Sequence, residues 1–139
     1  MTGSRLLLVE DTPEDSLFFR KALVQAGLQC SLEVLSDGQR VVDRLVEGDG
    51  PLPSRVVLDL KLPGLSGLEI LAWIRAHPGL QHLPVIILTS SQVPSDVHTA
   101  NVLGVAAFLV KPVSFKSLVE VVQGIAERWK IPIAAADPK

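Results

Sequence analysis

The stretch Leu6-Leu7-Leu8-Val9-Glu10-Asp11 opens with a continuous apolar run and closes with two carboxylates. Further along the chain, three more continuous apolar runs occur: Val56 to Leu58, Val85 to Leu88 and Ala106 to Val110. A strand that is covered by helices on both faces of its sheet shows this unbroken pattern, whereas a strand with one wet face alternates. The four runs therefore predict the buried strands of a parallel sheet.

Amphipathic helices are predicted between these runs, because apolar residues recur there at the i, i+3, i+4, i+7 spacing of one helix face. The clearest sets are Phe19 to Ala26, Gly67 to Ile74 and Leu118 to Ile125. The first helix should begin at Pro13, with Thr12 as its N-cap, and Gly27 should end it. The strands and helices alternate along the chain, which is typical of an α/β domain.

Weaker patterns complete this alternation. Residues 30–34, Cys-Ser-Leu-Glu-Val, alternate apolar with polar and predict an additional strand at the edge of the sheet. A helix is predicted around Val41 to Val46, and a short one from Val97 to Leu103 after a loop over 92–96. The order is then five βα units, with a domain over residues 1–128 and a short tail over 129–139.

The composition limits the classes of function. The chain has 139 residues, a formal net charge of −2 and 47% hydrophobic residues, which fits one compact domain and excludes two full ones. It lacks the basic excess expected of proteins that bind nucleic acid or anionic lipid. A single cysteine excludes an internal disulfide framework and agrees with a cytoplasmic location. No apolar run approaches the roughly 20 residues that cross a bilayer.

Chemically active side chains follow the predicted strands directly. They are Glu10, Asp11, Asp59, Thr89 and Lys111. Open parallel sheets place their sites at the carboxyl ends of their strands, so we expect these side chains to converge. Three close carboxylates repel one another, and a bound hard cation relieves the repulsion. The absence of His and Cys from the set favours Mg²⁺, or Mn²⁺, as that cation.

A cation in this pocket could receive a phosphoryl group, and one carboxylate could act as the nucleophile. Asp59 is the candidate because it stands alone at a strand end, whereas Glu10 and Asp11 are adjacent and suited to holding the metal. Lys111 would neutralise the charge of phosphoryl oxygens, and the Thr89 hydroxyl would donate a hydrogen bond to them.

With these residues in order, the chain resembles the receiver domains of response regulators in two-component signalling. The matching stretches, within residues 4–128, are Leu7 to Asp11, Val56 to Gly67, Val85 to Ser90 and Phe108 to Pro112. The resemblance implies a flavodoxin-like (βα)5 fold, a doubly wound parallel sheet with strand order 2-1-3-4-5.

The resemblance also implies roles for individual residues. Asp59 would accept a phosphoryl group from a histidine on a partner kinase. Mg²⁺ would be held by Glu10, Asp11, Asp59 and the main-chain carbonyl of Lys61. Lys111 would complete the site.

A conformational switch is implied as well. Phosphorylation would draw Thr89 inward and let the ring of Phe108, on the fifth strand, turn into the space. The resemblance further implies a cis peptide between Lys111 and Pro112.

The implied partners follow from a finer similarity to stand-alone regulators that pair with phytochrome-type or hybrid sensor kinases. Output would come from partner binding, from a homodimer formed through the fourth helix, fifth strand and fifth helix, or from onward transfer to a histidine phosphotransfer protein. Apart from slow loss of its own phosphoryl group, we expect the protein to catalyse no turnover reaction.

Three alternatives compete with this interpretation. Phosphatases of the haloacid dehalogenase type, which form an aspartyl phosphate on a strand-end Asp, need a second acid two residues after the nucleophile, where this chain has Lys61. A flavin binder is disfavoured because the acidic loop after the first strand would repel a flavin phosphate. A pseudo-receiver that serves only as a scaffold is disfavoured by the complete acidic set.

Overall fold

The structure is a computed structural model that describes residues 4–48 and 50–134. Five strands alternate with five helices: β1 Ser4–Val9, α1 Pro13–Ala26, β2 Cys30–Leu35, α2 Gly38–Glu47, β3 Arg55–Leu58, α3 Gly67–Ala76, β4 Val85–Thr89, α4 Pro94–Val102, β5 Ala107–Val110 and α5 Phe115–Trp129. All neighbouring strands pair in parallel, in the order β2-β1-β3-β4-β5. The predicted fold, strand order and edge position of β2 are confirmed.

Local chemistry explains where the helices begin and end. Helix α1 begins at Pro13 and ends at Ala26, followed by the C-cap Gly27, whose φ of 76° lies in the left-handed region that glycine tolerates. Thr12 occupies the N-cap position as predicted, but its side chain makes no capping hydrogen bond. Asp15, in the first turn of α1, contacts Lys111.

Two helices begin earlier than predicted. Helix α2 begins at Gly38 because the Asp37 side chain accepts a hydrogen bond from the amide of Arg40. Helix α4 begins at Pro94, a residue suited to the first helical turn, so most of the predicted loop over 92–96 is helical. Both helices thus start at a capping signal, upstream of the first residue of the apolar periodicity.

The sheet separates two apolar cores. Helices α1 and α5 cover one face and pack against each other, whereas α2, α3 and α4 cover the other face. β3 and β4 are almost entirely buried between these layers, which is why their sequences are continuously apolar. Among the described residues, no helix combines the length and the apolar character needed to cross a membrane.

The chain beyond residue 128 packs onto the domain. Trp129 and Ile131 are buried in the core formed with α1 and α5. Ile133 forms an isolated antiparallel bridge with Leu28, next to the start of β2. The boundary between 128 and 129 stays a prediction. Residues 135–139 of the predicted tail lie outside the described part of the chain.

Candidate functional site

The polar residues predicted at the strand ends meet at one edge of the sheet. Glu10, Asp59 and Thr89 are buried, with only 4% and 5% of Glu10 and Asp59 exposed. Asp11 is exposed beside them. Glu10, Asp11 and Asp59 each place a carboxylate oxygen within 4.8 Å of the others. The structure therefore brings together the three acids that the sequence singled out.

The backbone around Asp59 is held tightly. Its amide donates to the carbonyl of Val9 at 3.1 Å, which ties the ends of β3 and β1 together. Its Oδ1 accepts a hydrogen bond from the amide of Lys61 at 3.2 Å. A Cβ on Gly67 would lie 2.3 Å from the Asp59 carbonyl oxygen, so α3 can approach this closely only with glycine there. The ligand role of the Lys61 carbonyl stays a prediction.

Lys111 is the hub of the site. Its ammonium Nζ lies 2.8 Å from Asp59 Oδ2, 2.6 Å from Glu10 Oε1 and 2.9 Å from Asp15 Oδ2. The Lys111 amide donates to the Thr89 carbonyl at 2.9 Å and so fixes the residue against the end of β4. The side chain is 19% exposed, which leaves it little room to leave the acids.

Burial and pairing shift the pKa values in this pocket. Burial raises the pKa of Glu10 above its ordinary value, although hydrogen bonds from Lys111 and the Thr12 amide act in the opposite direction. Burial by itself would lower the pKa of Lys111, but its hydrogen bonds to Asp59, Glu10 and Asp15 outweigh that effect and raise it. Lys111 is therefore charged throughout the physiological pH range.

Asp15 is a member of the site that sequence reasoning missed. Its carboxylate Oδ2 accepts a hydrogen bond from Lys111 Nζ at 2.9 Å. The predicted helix start placed Asp15 near the loop of Glu10 and Asp11, but no local signal paired it with Lys111. With α1 beginning at Pro13, Asp15 lies in its first turn, directly after the loop that carries Glu10 and Asp11.

The two residues of the expected switch occupy suitable places. Thr89 is fully buried at the end of β4, and its Oγ1 accepts a hydrogen bond from the Ser91 amide at 3.5 Å. Phe108 is half-buried on the neighbouring β5, where it packs against the core beneath α2, α3 and α4. Their coupling stays a prediction.

The expectation of a cis peptide between Lys111 and Pro112 is wrong. No peptide bond among the described residues is cis, so Lys111 and Pro112 are joined in trans. The trans isomer is favoured for an X–Pro bond by about 0.5–1 kcal/mol. Lys111 reaches its three acidic partners with the backbone in this form.

An apolar cavity of about 230 Å³ opens beside Lys111, between α1 and the start of α5. The partly exposed rings of Phe18 and Phe115 stand at this cavity, edge to face, with their centroids 6.5 Å apart. The acidic pocket therefore borders an apolar surface that another protein could contact.

Comparisons with known protein families and curated proteins give consistent similarities. The profile of the response regulator receiver domain matches residues 6–123. The probable methanogenesis regulatory protein FilR2 of Methanothrix harundinacea is 38% identical over 127 residues, which cover 89% of this chain and 82% of that protein. Response regulator Rcp1 of Synechocystis sp. is 35% identical over 128 residues, covering 89% and 87%.

Solved structures are similar over nearly the whole chain. The Mn(2+)-bound form of Rcp1 has a TM-score of 0.84 at 33% identity and covers 95% of this chain and 99% of its own. The phosphorylated cyanobacterial phytochrome response regulator RcpA has a TM-score of 0.86 at 27% identity, with coverages of 96% and 100%. The bacteriophytochrome response regulator RtBRR has a TM-score of 0.79 at 38% identity, with coverages of 99% and 85%.

Proposed function

Because the chain belongs to the response regulator receiver domain family, we propose that it is switched by a phosphoryl group transferred to Asp59 from a histidine of a partner kinase. The observation that carries this proposal is the environment of Asp59. Its carboxylate is buried at the end of β3, beside two further acids and 2.8 Å from the Lys111 ammonium. A carboxylate in this setting can act as a nucleophile. The Lys111 ammonium is already in place to pair with the negative charge of the phosphorylated product.

The acidic cluster fits a divalent cation. Its donors are carboxylate oxygens alone, the ligand type that suits Mg²⁺ and Mn²⁺. Rcp1 has been solved in a Mn(2+)-bound form, which supports the same site here. We assign the cation to Glu10, Asp11, Asp59 and the carbonyl of Lys61, with Mg²⁺ as its usual identity. When bound, it neutralises negative charge on the phosphoryl oxygens.

The transfer uses an oxygen of the Asp59 carboxylate as nucleophile. Its electron pair forms the new O–P bond, the N–P bond of the donor phosphohistidine breaks, and that electron pair remains on the imidazole nitrogen. Lys111 donates from its ammonium to a phosphoryl oxygen, and the Thr89 hydroxyl donates to another. Glu10 and Asp11 would hold the divalent cation.

We propose that phosphorylation changes the surface to which partners bind. It moves Thr89 and with it Phe108, and partners bind the face formed by α4, β5 and α5. This face exposes the apolar side chains of Val102 and Val110, which supports a homodimer or partner contact there. The protein acts as a switch, or passes the phosphoryl group to a histidine phosphotransfer protein, and its only turnover is slow loss of its own phosphoryl group.

The proposed kinase is of the phytochrome type. Similarity to the phytochrome response regulator RcpA and the bacteriophytochrome response regulator RtBRR supports this choice over other sensor kinases, hybrid ones included. The kinase would meet the apolar surface at Phe18 and Phe115, which borders the site. A cytoplasmic location follows from this partnership and agrees with the lone free thiol of Cys30.

Acetyl phosphate, a small phosphoryl donor, tests the proposal. The protein is incubated with this donor and Mg²⁺, and its intact mass is recorded. We expect a gain of one phosphoryl group that EDTA prevents and that Asp59→Asn abolishes, while Glu14→Gln, a matched loss of an exposed acid near the site, retains it. If the wild-type protein gains no mass with the cation present, the chain is a scaffold and the proposal is wrong.

A further inference from the structure

Lys111 already contacts three acids, yet in the proposed reaction it must also bind a phosphoryl oxygen. An ammonium group has three N–H donors, and three carboxylates lie within 2.9 Å of Nζ. Nζ donates hydrogen bonds to Asp15 and Asp59 and forms an ion pair with Glu10, so the ammonium contacts three acids before any phosphoryl group arrives. At least one of these contacts must be exchanged when Lys111 turns to a phosphoryl oxygen.

The three carboxylates are not equivalent. Glu10 and Asp59 are buried and belong to the acidic cluster assigned to the cation, whereas Asp15 lies outside that cluster among the described residues. Asp15 projects from the first turn of α1, and its side chain is 42% exposed. A cation on Glu10 and Asp59 would compete with Lys111 for these carboxylates, and its charge would repel the ammonium.

We propose that Asp15 is a positioning residue, which keeps Lys111 at the edge of the site while Glu10 and Asp59 exchange their contacts with Lys111 for contacts with the cation. The inference rests on the proposed divalent-cation site. Asp15 suits this role because its carboxylate already lies 2.9 Å from Nζ and need not move. Lys111 then remains next to Asp59, where the phosphoryl group forms.

The role predicts the sign of a change in cation affinity. With Asp15→Asn, Lys111 loses its charged alternative and is held more firmly by Glu10 and Asp59. The cation then competes with the ammonium for these oxygens and binds more weakly. Glu14→Gln removes the same charge from the same turn, but Glu14 is exposed and shares no ion pair with Lys111 in the described structure.

Titration with Mn²⁺, followed by the electron paramagnetic resonance of the free ion, tests the inference. We expect Asp15→Asn to raise the Kd for Mn²⁺ about fivefold and Glu14→Gln to change it by less than about twofold. In a Lys111→Met background, Asp15→Asn should act no more strongly than Glu14→Gln, because the exchange then has no ammonium to reposition. Circular dichroism confirms that each variant is folded.

The outcomes separate this inference from the proposed function. If the wild-type protein binds Mn²⁺ but Asp15→Asn and Glu14→Gln have equal effects, the positioning role is wrong and the cation site stands. If the effect of Asp15→Asn persists in full in the Lys111→Met background, Asp15 acts on the cation directly and the inference is again wrong. If the wild-type protein binds no Mn²⁺, the cation site itself is refuted, and the inference with it.

Discussion

Replacing Lys111 by methionine should destabilise the metal-free protein strongly. Methionine fills a similar volume but leaves Glu10 and Asp59 buried without their cationic partner. Removing one member of a buried ion pair typically costs 3–5 kcal/mol. Asp59 keeps its hydrogen bond from the Lys61 amide, and Glu10 can take up a proton, so we expect a loss near the lower end, about 3 kcal/mol.

This loss should depend on pH with a defined sign. The pKa of Lys111 is raised in the fold, so its ion pairs contribute fully below the unfolded-state pKa of about 10.4 and are lost as the pH rises through the higher folded value. On the acid side, burial raises the pKa of Glu10, so that carboxylate takes up a proton as the pH falls. The difference between wild type and Lys111→Met should therefore narrow as the pH falls below neutral.

Urea denaturation in EDTA measures the loss. A decrease of about 3 kcal/mol lowers the midpoint by about 1.5 M urea for a slope of about 2 kcal/mol/M. Lys116→Met, the loss of an exposed lysine in the first turn of α5, is the matched control and should stay within about 0.5 kcal/mol. Added Mg²⁺ should recover part of the stability of Lys111→Met. A loss equal to that of the control would refute the stabilising ion pairs of Lys111 with the buried Glu10 and Asp59.

Three further predictions concern packing beside Asp59, the anchoring of α4 and the chain beyond residue 128. Gly67→Ala places a Cβ 2.3 Å from the Asp59 carbonyl oxygen, so it should lower the free energy of unfolding by about 1–3 kcal/mol and slow phosphorylation. Gly124→Ala, whose Cβ would meet nothing within 4 Å, should instead stabilise α5 by about 0.5–1 kcal/mol. Urea denaturation measures both changes in stability. Arg75→Ala removes hydrogen bonds to the carbonyls of Leu103 and Gly104, just after α4, and of Leu83, before β4. It should speed hydrogen exchange in α4, and unchanged exchange would show that Arg75 does not anchor that helix. Ile131→Ala should cost about 2–5 kcal/mol and lower Tm, because the side chain is buried, while exposed Ile133→Ala should leave Tm nearly unchanged; equal effects would show that the chain beyond 128 does not stabilise the domain.

The sheet and most of the site could be predicted because the signals are local. Each buried strand is a short continuous apolar run, and the residue after it must lie at the carboxyl edge of a parallel sheet. Glu10, Asp59 and Thr89 follow from this rule alone. The capping signals at Asp37 and Pro94 were also local, but apolar periodicity starts later than the helix itself and placed both helix starts too late.

The role of Asp15 could not be predicted from local signals. Its contact with Lys111 joins positions 96 residues apart, on a helix and on the loop after β5. Neither periodicity nor motif spacing carries such a pair, because it depends on how α1 is placed over the sheet. The isomer of the peptide between Lys111 and Pro112 is likewise a property of the folded loop, and the resemblance implied the wrong one.

We expect Asp59, and no other acid of the pocket, to receive the phosphoryl group. Protein treated with acetyl phosphate and Mg²⁺ can be reduced with borohydride, which converts an aspartyl phosphate to homoserine, and then digested and sequenced by tandem mass spectrometry. Homoserine is expected at position 59 alone, and none in a sample treated with EDTA. Homoserine at position 11 or 15, or none anywhere in a protein that binds Mg²⁺, would contradict it.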